Sequence, residues 1–395
     1  MVNWKQNLAV VSLSQFLSIA GFSFAMPFAP YYIQELGVTD PVGLKLWVSL
    51  FAAATPLSLA IFAPMWGALA DRYGRRLMLL RANLGGMVVV GLMGTVRNVE
   101  TLVALRLLQG AFTGTVAAAQ TMVSAGTPND RSGFALGALS AAVYSGGLVG
   151  AFVGGIFADC FGYRGTFFAG STLLLAAALL VFFGTREDFE RPAAAEEAAD
   201  PPEGAAAPGA VVAILGMIIA IAFARQFDAA FLPLLVQEIH GSIEGVSVWT
   251  GTLSAVSGLA GLLAGPLLGR LADRVPPPRI GKLSALGAGL LVIPQGLAGA
   301  FLPLFAARFG MTFCSGGLEP VFLIWLSKVT PASKRGVVFG WSSTARSAGW
   351  VIAPLVSGLV AARYGIRPVF FASGALYLAL IPMIALGVGR VRGKG

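Results

Sequence analysis

Long apolar runs separated by short polar stretches dominate the hydrophobic pattern of the chain. A helix that crosses a bilayer needs about 20 consecutive apolar residues, whereas strands of a membrane barrel alternate apolar and polar positions. Unbroken runs such as VVAILGMIIAIAF at 211–223 therefore predict an all-α membrane protein. The polar breaks define twelve transmembrane helices, at 8–34, 44–70, 77–96, 99–125, 132–158, 163–184, 210–236, 246–270, 280–300, 302–327, 336–361 and 366–389.

Composition excludes most classes of soluble protein. Hydrophobic residues make up 56% of the 395 positions and charged residues only 11%, against about a quarter charged in ordinary soluble domains. With one histidine, His240, and two isolated cysteines, Cys160 and Cys314, the chain offers no metal site, disulfide framework or Ser/His or Cys/His nucleophile. The sequence therefore predicts that the protein is not an enzyme and carries no metal.

A polar segment divides the twelve helices into two groups of six. Residues 186–209 contain seven acids and four prolines, a composition that cannot bury a core and is typical of a flexible linker. We therefore predict an N-terminal six-helix bundle at 1–185, a cytoplasmic linker at 186–209 and a C-terminal bundle at 210–395.

Basic residues in the connections predict the orientation. With the amino terminus inside, eighteen Lys and Arg residues fall on the cytoplasmic side and five on the opposite side, as the positive-inside rule requires. Both termini are thus expected in the cytoplasm. The net charge of +9 then reflects topology, and no nucleic acid is expected as a partner.

The two halves repeat each other at an offset of about 200 residues. Pro30 and Gln34 recur as Pro233 and Gln237, and FGYRGTFFA at 161–169 corresponds to YGIRPVFFA at 364–372. Two six-helix repeats that both start inside are parallel repeats, related by an axis along the membrane normal, which one class of secondary transporter uses. The predicted bundles are therefore pseudo-symmetric.

The chain resembles the major facilitator superfamily over essentially its whole length. GALADRYGRR at 67–76 looks like the family's motif A, which implies a conformational latch formed by Gly67, Asp71, Arg72, Gly74, Arg75 and Arg76. LVALRLLQGAFTG at 102–114 looks like the helix-4 arginine motif of proton-coupled members and marks Arg106. The resemblance implies the major facilitator fold, and within it the branch of drug:proton antiporters.

Glycines of the fifth helix resemble motif C, which is associated with antiporters. The motif departs from the family pattern at Ala151, where proline is usual, and its second copy has Ala353 in place of glycine. Because small residues let membrane helices approach closely, the seam they form is either a static contact or a surface that slides between the two halves. The glycines concerned are Gly137, Gly146, Gly150, Gly154 and Gly155.

Ionisable residues inside spanning helices are costly and indicate function by default. Asp228 and Glu319, with Arg106, are candidates for proton coupling, and the carboxyl half should hold one buried charge cluster that includes Arg225, Arg308 and Arg346. Arg225 and Asp228, three residues apart, should be neighbours on one helical face. Arg308 and Glu319, eleven apart, should also share a face, although three helical turns separate them in height. The structural alternative is a set of ion pairs that only holds helices together.

Candidate cavity residues are Gln109 and the aromatic stripe Phe223, Phe227 and Phe231, although such stripes more often face lipid or another helix. We expect proton-coupled export of amphipathic small molecules across a bacterial inner membrane. No cofactor is expected, the energy source being the proton gradient, and the partners are membrane lipids and protons, with a single chain as the functional unit. The alternatives are uptake or flipping of an anionic metabolite or lipid, and an intramembrane enzyme or receptor, for which no motif is visible.

Overall fold

The computed structural model describes residues 4–128, 131–187, 208–330 and 335–392. Within these ranges all regular structure is helical, as the apolar runs predicted. The α-helices are α1 Trp4–Ala25, α2 Ala29–Glu35, α3 Pro41–Tyr73, α4 Arg75–Met93, α5 Val99–Phe112, α6 Thr115–Gly126, α7 Ser132–Gly184, α8 Pro208–Phe227, α9 Leu232–His240, α10 Val246–Arg274, α11 Pro277–Leu297, α12 Phe301–Gly316, α13 Leu318–Val329, α14 Arg335–Tyr364 and α15 Arg367–Arg392.

Eleven stretches in the described ranges are long and apolar enough to cross a membrane. One of them, α7, is 53 residues long, which at about 1.5 Å per residue is more than twice the hydrocarbon thickness. It is broken at Gly162, whose φ of 76° and ψ of 168° are non-helical. The prediction of twelve helices placed the boundary between the fifth and sixth at this point.

Packing of α7 against α1 shows that the chain reverses at Gly162. Before the break, Gly146, Gly150 and Gly154 lie against Phe16, Ala20 and Phe24, so this arm runs parallel to α1. After the break the order is reversed: Gly170 lies against Gly21, and Ser14 Oγ donates to the carbonyl of Ala177 at 3.0 Å. The two arms are therefore separate, antiparallel spanning segments.

Four of the predicted helices are interrupted, at corresponding places in the two sequence repeats. A 3-10 turn, Met26–Phe28, separates α1 from α2, and Ala229–Phe231 separates α8 from α9. Gly114, with φ of 118°, separates α5 from α6, and Gly317 separates α12 from α13. Each interrupted helix still forms one candidate membrane span, and the interruptions occur because prolines and glycines near these points remove or release intrahelical hydrogen bonds.

The described residues cluster into two compact units that exchange segments between the sequence halves. The first comprises Met1–Asp40, Ala54–Ala194 and Val236–Leu259, and the second Pro41–Ala53, Ala195–Leu235 and Ala260–Gly395, so far as these ranges are described. The start of α3 thus packs with the carboxyl-terminal material, and the start of α10 with the amino-terminal material. Of the linker predicted at 186–209, positions 188–207 lie outside the described residues.

The glycines of the fifth predicted helix face two different neighbours. Gly146, Gly150 and Gly154 approach the backbone of α1, which belongs to the same sequence half, so for these three the contact favours the static alternative over a seam between the halves. Gly155 alone among the five approaches Ser247 of α10, and a Cβ at Gly137 would meet nothing within 4 Å. Lipid gives helices no hydrophobic drive to associate, so small residues stabilise such contacts by letting the backbones approach closely.

Replacing Gly150 by alanine should destabilise the protein by about 1–3 kcal/mol, the usual cost of overpacking. The added Cβ would lie 2.5 Å from the Ala20 carbonyl oxygen, and backbone cannot move aside cheaply. Gly137→Ala in the same helix is the matched control and should be neutral or stabilising by up to about 1 kcal/mol. Thermal unfolding of both variants in detergent checks this, and equal midpoints would contradict the contact.

Candidate functional site

The Asp228 carboxylate lies where α8 gives way to its 3-10 turn and is held from two sides. Oδ2 pairs with Arg308 Nη1 of α12, and Oδ1 accepts a hydrogen bond from Ser373 Oγ of α15 at 3.0 Å. Arg308 Nη1 also lies 3.5 Å from Gln295 Oε1 of α11. Asp228 is 0% exposed. Its carboxylate therefore joins three segments of the second unit without contact with solvent, and Arg308 adds α11 as a fourth.

The Glu319 carboxylate, in the first turn of α13, bridges two arginines. Oε2 lies 3.1 Å from Arg225 Nη1 of α8, and Oε1 lies 2.6 Å from Arg346 Nη1 of α14. The glutamate side chain is 20% exposed and each arginine side chain 34%. This site, the Glu319 triad, therefore differs from the Asp228 pair because it is partly open and has two cations for one anion.

The charge cluster expected in the carboxyl half is thus divided into two, and the residues expected to share a helical face bind different partners. Arg225 and Asp228 bind different partners, since the α-helix that would hold them on one face ends at Phe227. Arg308 and Glu319 also separate, because the helix break at Gly317 lies between them. Both clusters still join helices from distant parts of the sequence, and charge alone could not assign the partners.

The aromatic stripe is mostly buried. Phe227 is 3% and Phe231 0% exposed, so both pack within the second unit, and only Phe223 keeps a partly exposed face. The apolar neighbours that share a narrow space with Glu319 and Arg346 are instead Ile218, Ile221 and Ala222 of α8. In this structure the wall beside the carboxylate is therefore aliphatic, which the sequence analysis missed.

Arg106 in α5 belongs to the first unit and contacts neutral partners. Its Nη1 donates to Gln109 Oε1 at 2.5 Å and lies 2.8 Å from Met26 Sδ, in the 3-10 turn after α1. Its carbonyl accepts a hydrogen bond from Thr55 Oγ1 at 3.0 Å. Gln109 is 2% exposed, so here its amide supports Arg106 instead of lining a cavity.

The loop between α3 and α4 contains Gly74 and is followed by Arg75 and Arg76; we call it the arginine loop. It binds the carboxylate of Glu187, a residue that the sequence placed in the linker. Gly74 has φ of 90°, a conformation that favours glycine, and α4 begins directly after it. The backbone N–H groups of Arg75 and Arg76 donate to the two oxygens of Glu187 at 3.1 and 2.7 Å. Arg76 Nη2 also donates to the Phe182 carbonyl. A carboxylate at a helix N-terminus is a favourable arrangement.

The other residues of this predicted latch make fewer contacts. Arg72 lies over the ring of Tyr73, 5.3 Å from its centroid. A Cβ at Gly67 would meet nothing within 4 Å. The side chain of Asp71 lies outside the described part of the chain, so the latch itself stays a prediction.

At the other end of the first unit, equivalent residues of the two repeats bind each other. The amides of Gln34 and Gln237 exchange two hydrogen bonds, of 2.8 and 3.0 Å. Close by in sequence, the buried Tyr31 hydroxyl lies 2.6 Å from Thr250 Oγ1. Gln34 and Gln237 occupy equivalent positions in the two sequence repeats, and this correspondence could have indicated the pair.

Asp159 holds the beginning of α10 within the same unit. Its two oxygens accept the backbone N–H groups of Ser247 at 3.3 Å and Val248 at 3.0 Å. Next to it, a Cβ at Gly251 would lie 2.5 Å from the Ala151 carbonyl oxygen, so the two helices touch through their backbones. Nothing in the local sequence distinguishes Asp159 from a solvated loop residue, so the sequence did not indicate this contact.

Repeated sets of spanning helices, interruptions at equivalent positions and paired charges within the membrane segments define a membrane transporter. Consistent with this class, a family model described as the Major Facilitator Superfamily matches residues 11–294 and 212–394. The chain belongs to this family, and it is a transporter and not an enzyme. The helical membrane fold that the sequence predicted is confirmed, whereas the count of twelve helices stays a prediction, because the described residues contain eleven candidate spans, one of them the 53-residue α7.

Two multidrug resistance proteins are similar in sequence to almost the whole chain. The multidrug resistance protein MdtG of Rahnella sp. (strain Y9602) is 36% identical over 379 residues, which is 95% of this chain and 92% of that protein. The protein of the same name from Escherichia coli O1:K1 / APEC is 35% identical over 380 residues, 95% of this chain and 93% of its own length.

Solved structures support the fold. The bacterial homologue of the human lysosomal transporter Spinster, in an inward-facing and occupied conformation, gives a TM-score of 0.79 at 15% identity, covering 98% of this chain and 97% of that one. The human organic anion transporter MFSD10 gives 0.71 at 16% identity, covering 97% and 100%. At such identities the likeness concerns the fold alone.

Glu187→Gln should lower stability by about 1 kcal/mol, because the neutral amide gives up the charge at the α4 N-terminus and the ion pair of the carboxylate with Arg75 Nη1, 3.9 Å away. Glu244→Gln is the control, since that side chain is exposed. Thermal unfolding of the two purified variants in detergent measures the difference. A Glu187→Gln midpoint no lower than that of the control would show that the carboxylate does not stabilise the loop.

Proposed function

We propose that this protein exports amphipathic small molecules from the bacterial cytoplasm in exchange for protons. The observation that carries the proposal is the partly exposed Glu319 carboxylate between two arginines in the membrane segments. The multidrug resistance relatives support the direction and the breadth of substrates. Uptake or flipping of an anionic metabolite has no comparable support.

Glu319 is the better carrier of the coupling proton than Asp228. A proton carrier must exchange with water, and the Glu319 side chain is 20% exposed while that of Asp228 is 0% exposed. Asp228 also has both oxygens occupied by Arg308 and Ser373. We therefore assign Asp228 to the stability of the second unit and Glu319 to coupling.

Protonation of Glu319 would act on three helices at once. The ionised carboxylate joins α13 to α8 through Arg225 and to α14 through Arg346. A neutral carboxyl group loses both charge-assisted interactions, which are about twice as strong as neutral hydrogen bonds. Proton uptake thus releases α8 and α14 from α13, and this is the conformational change that we propose for coupling.

The substrate would occupy the same place. The space shared by Glu319, Arg346, Ile218, Ile221 and Ala222 is too narrow in this structure to admit a water-sized molecule, whereas ordinary ligand sites have roughly 300–1,000 Å³. We propose that the substrate opens this space by inserting its polar group between the ionised Glu319 carboxylate and the two arginines, against an aliphatic wall that suits amphipathic molecules. The substrate would need the ionised form of Glu319, whereas the proton converts Glu319 to the neutral form, so the two would not be bound together. This mutual exclusion is what exchange of substrate for protons requires.

The remaining features of the proposal follow from the topology and the family. The protein would lie in the inner membrane with both termini in the cytoplasm, because basic residues concentrate at those ends. The proton gradient would supply the energy, with no cofactor. One chain would suffice for transport, with membrane lipids as its surroundings.

Glu319→Gln should abolish uphill transport while leaving the protein folded, since glutamine resembles the protonated carboxyl and cannot exchange a proton. In proteoliposomes with an imposed pH gradient, we expect at least a tenfold loss of accumulation of a fluorescent amphipathic substrate. Exchange of labelled for unlabelled substrate without a gradient should fall as well, because the neutral amide keeps the site in its proton-loaded state. Accumulation at the wild-type level would refute the role of Glu319.

Asp228→Asn is the matched comparison and should have the opposite profile. Removing the charge leaves Arg308 buried without its anion, which typically costs about 3–5 kcal/mol. We expect a clearly lower unfolding temperature, with coupling preserved in whatever fraction folds. If Asp228→Asn is as stable as wild type but uncoupled, the two carboxylates have been assigned the wrong roles.

Linking Gln34 to Gln237 should stop transport if the two repeats separate at this end during the cycle. The test places Cys at both positions after Cys160→Ala and Cys314→Ala, and treats proteoliposomes with a short cleavable reagent that links two thiols. We expect transport to fall at least tenfold and to return when the reagent is cleaved. Single-cysteine variants serve as controls, and full activity of the linked protein would exclude movement here.

A further inference from the structure

Asp159, at the end of the first arm of α7, binds the beginning of α10 through its carboxylate. Its two oxygens accept hydrogen bonds from the backbone N–H groups of Ser247 and Val248, at 3.3 and 3.0 Å. These residues lie in the first turn of α10, where backbone N–H groups have no partner within the helix. Asp159 belongs to the first sequence repeat and α10 to the second, so the carboxylate joins the two repeats.

Other contacts at the beginning of α10 join neutral groups. Ser247 Oγ donates to the Tyr163 hydroxyl at 3.4 Å, and the hydroxyl of Tyr31 lies 2.6 Å from Thr250 Oγ1. A Cβ at Gly155 would lie 2.5 Å from the Ser247 carbonyl oxygen, so the two helices touch through their backbones. All of these contacts need α10 directly against the first repeat, and a small separation of the helix breaks them together.

The charge of Asp159 makes its contact strong enough to bias an equilibrium and weak enough to break in every cycle. A carboxylate is stabilised by the partial positive charge of a helix N-terminus. Asp159 is also exposed, so water can take over both hydrogen bonds when α10 moves away. Loss of such an N-terminal cap changes an equilibrium constant by about fivefold.

Asp159 lies at one defined end of the first unit. It precedes the reversal of α7 at Gly162 by three residues, and Glu187 follows the other end of the second arm, so the arginine loop lies at the opposite end of the unit. The pair of glutamines described above lies at the same end as Asp159, because Tyr31, one turn earlier on α2, binds the beginning of α10. Asp159 can therefore act on one end of the unit without acting on the other.

We propose that Asp159 is a positioning residue that holds α10 against α7 while this end of the unit is closed; we call this contact the Asp159 clamp. The inference rests on the proposed function only in requiring that this end opens during transport. Opening separates α10 from α7, exposes Ser247 and transfers both hydrogen bonds of the carboxylate to water. The ionised carboxylate thus increases the population of the closed state, a role separate from the coupling that we assign to Glu319.

The reactivity of a cysteine at position 247 measures how often this end opens. Ser247→Cys changes a side chain that is 0% exposed for one of similar size, and it keeps the backbone N–H that binds Asp159. The full-length protein with Cys160→Ala and Cys314→Ala is treated in detergent, without substrate, with a charged thiol reagent. Adding Asp159→Asn should raise the modification rate by about fivefold or more, because the amide is neutral and offers one acceptor oxygen in place of two. An unchanged rate would overturn the proposal.

Two controls separate the clamp from general effects. Glu244→Gln removes a carboxylate from the exposed turn just before α10 and should leave the rate at position 247 unchanged. Ser14→Cys reports on a contact within one repeat, since Ser14 is 0% exposed and binds the Ala177 carbonyl, and its rate should not respond to Asp159→Asn. An equal increase at positions 14 and 247 would show that the whole unit loosens and would refute the clamp.

A second reporter keeps the test available if Ser247→Cys does not fold. Thr250 is 3% exposed on the same helix, and Thr250→Cys should show the same response to Asp159→Asn. Neither reporter needs a substrate or a pH gradient, so the outcome is independent of the coupling experiment. Normal uphill transport by Glu319→Gln would contradict the proposed function and leave the clamp standing, whereas a reporter rate indifferent to Asp159→Asn would contradict the clamp alone.

Discussion

The hydrocarbon core of a membrane offers no hydrogen-bond partner, and this one constraint accounts for most of the structure. Backbone groups there must be satisfied within each segment, which leaves helices as the only regular structure in the described ranges. Charged side chains must form ion pairs, as Asp228 does with Arg308 and Glu319 does with Arg225 and Arg346. Departures from regular helix then occur in equivalent segments of the two repeats.

The same constraint separates two carboxylates that look alike in the sequence. Asp228 is fully enclosed and saturated by its partners, so its charge stabilises packing and has no route to water. Glu319 is shared between two partly exposed arginines, so a change in its ionisation alters the attachment of two helices. Burial and the number of partners, rather than residue type, distinguish a structural ion pair from a candidate for proton exchange.

Close contacts between helices depend on small residues for the same reason. Lipid gives helices no hydrophobic drive to associate, so Gly150 and Gly154 bring α7 onto the backbone of α1, and Gly251 brings α10 onto α7. The first set lies within one sequence repeat, whereas the second joins two repeats. Polar contacts such as Gln34 with Gln237 and Asp159 with the start of α10 accompany the second set.

The sequence by itself determined the helical membrane class, the two repeats, the family and the residues that carry charge inside the membrane. These follow from local properties: the length of apolar runs, the period of the repeat and the high cost of an ionisable side chain in hydrocarbon. The tertiary structure decided which arginine serves which acid, that Glu187 binds the arginine loop, and that Phe227 and Phe231 are buried. Such contacts join residues that are far apart in the chain, and they depend on helix breaks at Asp228 and Gly317 that redirect whole segments. The pattern of apolar residues does not specify how these breaks redirect the segments.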